Sequence, residues 1–213
     1  MIDGYAFYAT MIRSLRVELI LLSAFLFFVG LFSAPLVVER KIEPLLFYPR
    51  WMWHRIQRWV KSDDPFIKMV LAICFLNATS LLVNILSGLL AVFPFLFGFL
   101  VGLHIGVIVI EETGKWSLIG ILINPVAFLE LPTTWISLSI GMELGLFLLN
   151  RLSLVEALPL LRRGLLIYGA LILPLLLVAA LLEVFLIKWG LKLAEKRKDE
   201  EHPDSVDETI VER

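Results

Sequence analysis

Four ionisable side chains lie within otherwise apolar sequence: His104, Glu130, Glu143 and Glu183. A carboxylate with an imidazole can relay protons or hold a cation. The same groups can also serve as structural partners between helices. Glu130 is the most constrained of them, because it sits between two prolines in Asn124-Pro-Val-Ala-Phe-Leu-Glu-Leu-Pro132. Pro125 and Pro132 each remove a backbone donor and interrupt a helix. A charge at that depth is costly unless it faces the bundle interior, a partner or water. This stretch is therefore the best candidate site.

Amides extend the polar set. Asn77, Ser80, Asn84, Ser87 and Gly88 fall on one helical stripe, which should face protein or a wet cavity. The stripe can be interhelical glue or the lining of a solute path. No His-x-x-x-His or Cys-x-x-Cys pattern occurs, and no nucleophile elbow, phosphate loop or dinucleotide fingerprint. Thr133 and Thr134 have no base at recognisable spacing. The expectation is a chain with no catalytic residues, no metal and no cofactor, and not an enzyme.

The elements that must position these groups follow from composition. The 213 residues are 59% hydrophobic and 18% charged, with a mean hydropathy of +0.88. Such a chain is polytopic in a membrane and all-α. The net charge of −1 argues against a nucleic-acid partner, and the lone Cys74 forms no intrachain disulfide. Residues 1–198 read as one transmembrane domain with five spans at about 19–38, 66–91, 93–110, 132–150 and 165–187. Residues 1–18 are an amphipathic, interface-seeking entry, and the first span is an anchor rather than a cleaved signal. Residues 118–129 are too short to cross a bilayer that needs about 20 residues, so they read as a re-entrant or broken segment.

Between the first two spans, Trp51, Trp53 and Trp59 interleave with Arg50, Arg55, Arg58 and Lys61. That mixture predicts an interfacial amphipathic helix over about 44–61. Residues 151–164 read as a short amphipathic connection, and the fifth span is expected to bend at Pro174. The tail 199–213, with seven acids and one base, is expected to be disordered.

Gly98, Gly102 and Gly106 recur at four-residue spacing, as do Gly141 and Gly145. Small residues let helix backbones approach closely, either within one chain or between two copies as a homodimer. With five spans, thirteen Lys and Arg residues fall on the side of 40–68, Lys115 and 188–198. Five fall opposite: Arg13, Arg16, Arg151, Arg162 and Arg163. The charge bias predicts an amino terminus outside and a carboxyl terminus in the cytoplasm of a cell-membrane protein.

Over about residues 70–190 the order of features resembles the SpoIIM family of stage II sporulation membrane proteins, also known as DUF95. Phe75-Leu76-Asn77 followed by Gly88 resembles the family's Asn-bearing second span. Pro125 to Pro132 resembles its hallmark Pro-His-Gly-x-x-Glu-Leu-Pro, with Val126 and Ala127 in place of the His and Gly. Gly141 and Gly145 resemble the paired glycines that follow, and Glu183-Val184-Phe185 a Glu-Ala-Phe segment near the end. Leu186-Ile187-Lys188 stands where the family usually has Thr-Pro. The resemblance implies a membrane scaffold of the kind that recruits peptidoglycan-remodelling enzymes, and homologues elsewhere occur in transport-like contexts. It also implies an amino terminus inside, against the charge count. The leading expectation is a non-enzymatic scaffold or complex subunit. It would partner the bilayer and other membrane proteins or itself. The alternative is a permease or channel component moving a small solute or ion along a polar path.

Overall fold

The computed structural model describes residues 4–59 and 64–201. These residues are almost entirely helical, and no strand occurs among them. The helices are α1 (Gly4–Arg13), α2 (Val17–Glu39), α3 (Glu43–Trp59), α4 (Phe66–Leu86), α5 (Phe93–Thr113), α6 (Leu118–Ile123), α7 (Ala127–Arg151), α8 (Leu154–Ile167) and α9 (Leu173–Glu201). Five helical stretches are long and apolar enough to cross a membrane. Their backbone donors and acceptors bond along each helix, as a hydrocarbon solvent requires.

Two pairs of helices run parallel and touch through glycine. A Cβ on Gly102 would overlap the carbonyl oxygen of Phe27, and one on Gly30 would overlap that of Phe99. A Cβ on Gly106 would meet Ala34 and the Leu31 carbonyl. These contacts bring α2 and α5 backbone to backbone, with Phe27, Leu31, Ala34, Leu103 and Val107 buried around them. The second pair is α4 with α7, where Gly141 lies on the Asn84 carbonyl and Gly88 on the Gly141 carbonyl. Gly145 abuts Ala91, whose φ of 55° makes the tight turn into α5.

α7 is the central helix, touching α2 and α5 as well as α4, α8 and α9. It is the least apolar of the five spans, yet 67% of its most apolar window is buried, against 28–39% for the others. A helix surrounded by protein can carry Thr133, Ser137 and Ser139, all buried, because lipid never meets them. The exposed faces of the outer helices are apolar, including Phe25, Phe32, Leu71, Phe75 and Phe185.

Several boundaries depart from the sequence expectation. The fourth span begins at Ala127, not near 132, and Pro132 lies inside it. So close to a helix start, a proline deletes one backbone bond, here to the Phe128 carbonyl, whose residue is 79% exposed. The broken segment therefore reduces to α6 and the non-helical Asn124–Val126. The stretch expected as an amphipathic connection, 151–164, is helical from Leu154 onward. After the left-handed Leu152 (φ 51°), α8 continues through a wide π turn at Tyr168–Ile172 into α9, giving one apolar helix from Leu154 to Leu193. The irregularity precedes Pro174 because that residue cannot donate to the turn before it. The third span runs on to Thr113. Helix α9 reaches Glu201, so the expected tail is helical at 199–201, and 202–213 lie outside the described residues. The expected interfacial helix is α3, ending at Trp59, with 60–63 also outside the described residues.

The glycine contacts give a direct test. Gly102→Ala should lower the stability of the detergent-purified protein by about 1–3 kcal/mol, since the new methyl meets backbone that cannot swing away. Gly190→Ala, with nothing within 4 Å of the added Cβ, should be neutral or slightly stabilising. Thermal unfolding of the two variants side by side checks the contrast.

Candidate functional site

The centre of the site is the crossing of α4, α7 and α9. Asn77 donates from Nδ2 to Glu130 Oε1 at 2.6 Å. Seven residues further along both helices, Asn84 Nδ2 donates to Ser137 Oγ at 3.2 Å. Both bonds join residues 53 apart in sequence, and Gly88 and Gly141 keep the same offset. A constant offset means parallel helices in one fixed register. On that register Ala127 stands level with Cys74, eight residues past the start of α4 at Phe66. At 1.5 Å per residue, α7 therefore starts about 12 Å inside the bundle.

That deep start explains how the carboxylate is held. Glu130 is the acid in the first turn of α7, where a negative charge complements the helix dipole. Asn124 Oδ1 accepts from the Val126 backbone N–H at 2.9 Å, closing the non-helical step before the helix. Thr133 and Thr134 donate to the Glu130 carbonyl at 2.8 and 2.9 Å. Helix α9 completes the group, with Glu183 near enough to interact electrostatically with Glu130. Tyr168, in the π turn, donates to the Ala78 carbonyl at 2.8 Å and ties the fifth span to the same stretch of α4.

The remaining candidates lie elsewhere. Glu143 is ion-paired with Arg163 across the α7–α8 hairpin, toward the end of the molecule that holds Arg16 and Arg151. His104 lies under α3, its ring edge-on to Tyr48 at 4.9 Å. Its buried Nε2 has no hydrogen-bond partner among the described residues. The four ionisable groups thus split into three places, and only Glu130 and Glu183 come together. The polar stripe on α4 is also divided: Asn84 and Ser87 are buried against α7, whereas Ser80 is exposed. The glycine faces are spent within the chain, so a homodimer would have to use another surface. No group of three or more potential metal ligands occurs among the described residues.

Some partners escape sequence reasoning. Arg163 and Tyr168 bond residues far away in the chain, and nothing local marks them. At the opposite end from Arg163, α3 is fastened to the end of α5. Arg50 bonds Glu111 at 2.7 Å, and Trp53 donates to Glu112. The hydrogen-bonded Glu111 carboxylate pushes the Arg50 pKa above its ordinary value. Lys115 pairs with Glu39 across the ends of α5 and α2. The alternation of Trp and Arg signals an interfacial helix, but not what it grips.

Five apolar spans, a buried polar centre and a helix docked at the end of the bundle define a multi-pass integral membrane protein. Residues 21–186 match the SpoIIM family, stage II sporulation protein M, and the chain belongs to that family. No curated protein and no solved structure matches it.

The Asn77–Glu130 bond is open to a double-mutant cycle. Asn77→Leu or Glu130→Leu alone leaves a partner unsatisfied and should cost about 1–3 kcal/mol. The double variant should recover about 0.5–1.5 kcal/mol of coupling, the range for interhelical bonds in membranes. Strictly additive losses in chemical or thermal unfolding would show that the pair does not hold the crossing.

Proposed function

We propose that this chain is a non-enzymatic membrane scaffold or complex subunit. It sits in the cell membrane with the amino terminus outside and the carboxyl terminus in the cytoplasm. The observation that supports this most is how the polar stripe of α4 is used. Asn84 bonds Ser137, and Gly88 and Gly141 press backbone on backbone. Side chains that could line a path are consumed in holding two helices at contact distance. Glu143 and His104, the other candidates for a relay, stand apart from Glu130. A body held this rigidly suits a part that presents surfaces to other membrane proteins.

The orientation rests on the thirteen-to-five distribution of Lys and Arg. The contacts agree on which groups share an end: Arg16, Glu143 and Arg151 line one hollow, while Lys188 bonds the Asp64 carbonyl near Lys68. A permease or channel component is the second reading. One observation favours it, the approach of Glu130 to Glu183 at half depth beside the exposed Ile123–Pro125.

Cysteine accessibility separates the two. In a Cys74→Ser background, Asn84→Cys and Glu130→Cys are expected to resist a membrane-impermeant maleimide added to either face of intact vesicles. Both should label after denaturation. Labelling of both positions in the folded protein would favour the permease and overturn the scaffold reading. Epitope tags at the two ends test the orientation, and a carboxyl-terminal tag found outside the cell would reverse it.

A further inference from the structure

A surface hollow runs along α8, away from the polar crossing. Val155 and Leu158 close one end, Leu165 and Leu166 form the other, and Arg162 and Arg163 lie between. The four apolar side chains are 40–77% exposed. The two arginines differ in what they already hold. Arg163 gives one guanidinium nitrogen to Glu143, while its Nε, buried, has no acceptor among the described residues. Arg162 is exposed and forms no ion pair among the described residues.

The depth of the hollow follows from helix length. Lys188 marks one polar edge, bonded to the Asp64 carbonyl at 2.8 Å. Arg163 is 25 residues before it on the same nearly continuous helix, about 38 Å away. A bilayer has a hydrocarbon core of about 30 Å, and about 40–45 Å with its headgroups. Arg162 and Arg163 therefore come level with the phosphates of the opposite leaflet, and Leu165 and Leu166 with the first methylenes below.

We propose that this hollow is a binding site for an anionic phospholipid. The phosphate lies against the exposed guanidinium of Arg162, while an acyl chain covers Leu165 and Leu166. Apolar surface beside two cations at the headgroup level complements such a lipid in both charge and polarity. Neutral lipid would cover the leucines but bring net charge to neither arginine. Arg163 is already paired with Glu143, so Arg162 is the side chain that sets the preference for a net negative headgroup.

Native mass spectrometry of the full-length protein tests this. Delipidated protein in neutral detergent is offered phosphatidylglycerol or phosphatidylcholine of the same chain length, with and without excess inorganic phosphate. Phosphatidylglycerol should be retained at least about fivefold better, the weight of one basic residue at a charged membrane surface. Arg162→Gln should remove that preference, whereas Arg151→Gln, an exposed cation outside this hollow, should keep it. Equal retention of the two lipids would overturn the proposal, as would an unchanged preference in Arg162→Gln. Full displacement of the lipid by inorganic phosphate would overturn it in favour of a free-anion site.

Discussion

The register between α4 and α7 decides most of what else this molecule can be. Three contacts share the offset of 53 residues: Asn77 with Glu130, Asn84 with Ser137, and Gly88 with Gly141. In water the hydrophobic effect would drive such a pair together, but lipid tails are as apolar as the helix surface. Close packing and interhelical hydrogen bonds must set the geometry instead. Glycines bring the backbones into contact, and the amides select one of the registers that the glycines alone would permit. A slip of four residues either way would put Glu130 opposite Ile73 or Leu81 and take its carboxylate away from the Asn77 amide.

Fixing that register forces α7 to begin late, about a third of the way along α4. The missing length is filled by the six residues of α6 and by Asn124–Val126, backbone that hydrocarbon would not tolerate alone. Leu118, Val126 and Ala127 are buried, whereas Ile123, Asn124 and Pro125 are exposed, so protein covers one side of this break. The same logic accounts for Pro132. One turn deeper it would strand a carbonyl in the packed core; here the affected residue, Phe128, is exposed at the margin. Polar side chains on α7 are tolerated because the α2–α5 pair and the α4–α9 pair enclose it.

Much of this was readable in advance, and the parts that were not share a cause. Hydropathy reports five spans, though not where the fourth and fifth begin, and alternating Trp and Arg marks the helix α3, because both signals arise from how a residue meets lipid or its boundary. Glu130 stood out for the same reason, as a charge between helix breakers. What hydropathy cannot report is which helix lies beside which. Glu143 reads as a functional or structural polar group, and its partner, Arg163, lies twenty residues away across a hairpin. His104 read as a possible relay partner and lies under Tyr48 of α3. Residues 151–164 read as a connection because Glu156, Arg162 and Arg163 interrupt the apolar run. They are helical because Ser153 accepts from the Glu156 N–H as an amino-terminal cap, and the wide turn at Tyr168 absorbs the proline that follows.

The departures from the family's hallmark motif can now be placed in space. The positions resembling its His and Gly are Val126 and Ala127, with exposures of only 5% and 9%. Ala127 packs into the cluster built on α2 and α5, beside Leu103, Leu118 and Leu131. An imidazole at position 126 would put a donor and an acceptor next to the first turn of α7, close to Glu130. Here that neighbourhood is apolar, and the carboxylate takes its hydrogen bond from Asn77 alone among the described side chains. A lone amide can orient a carboxyl group but cannot pass a proton on, because its own N–H does not exchange roles the way a histidine ring does. Val126 and Ala127, at the positions of the motif's His and Gly, therefore add packing to the α7 start, and Asn77 ties Glu130 to α4.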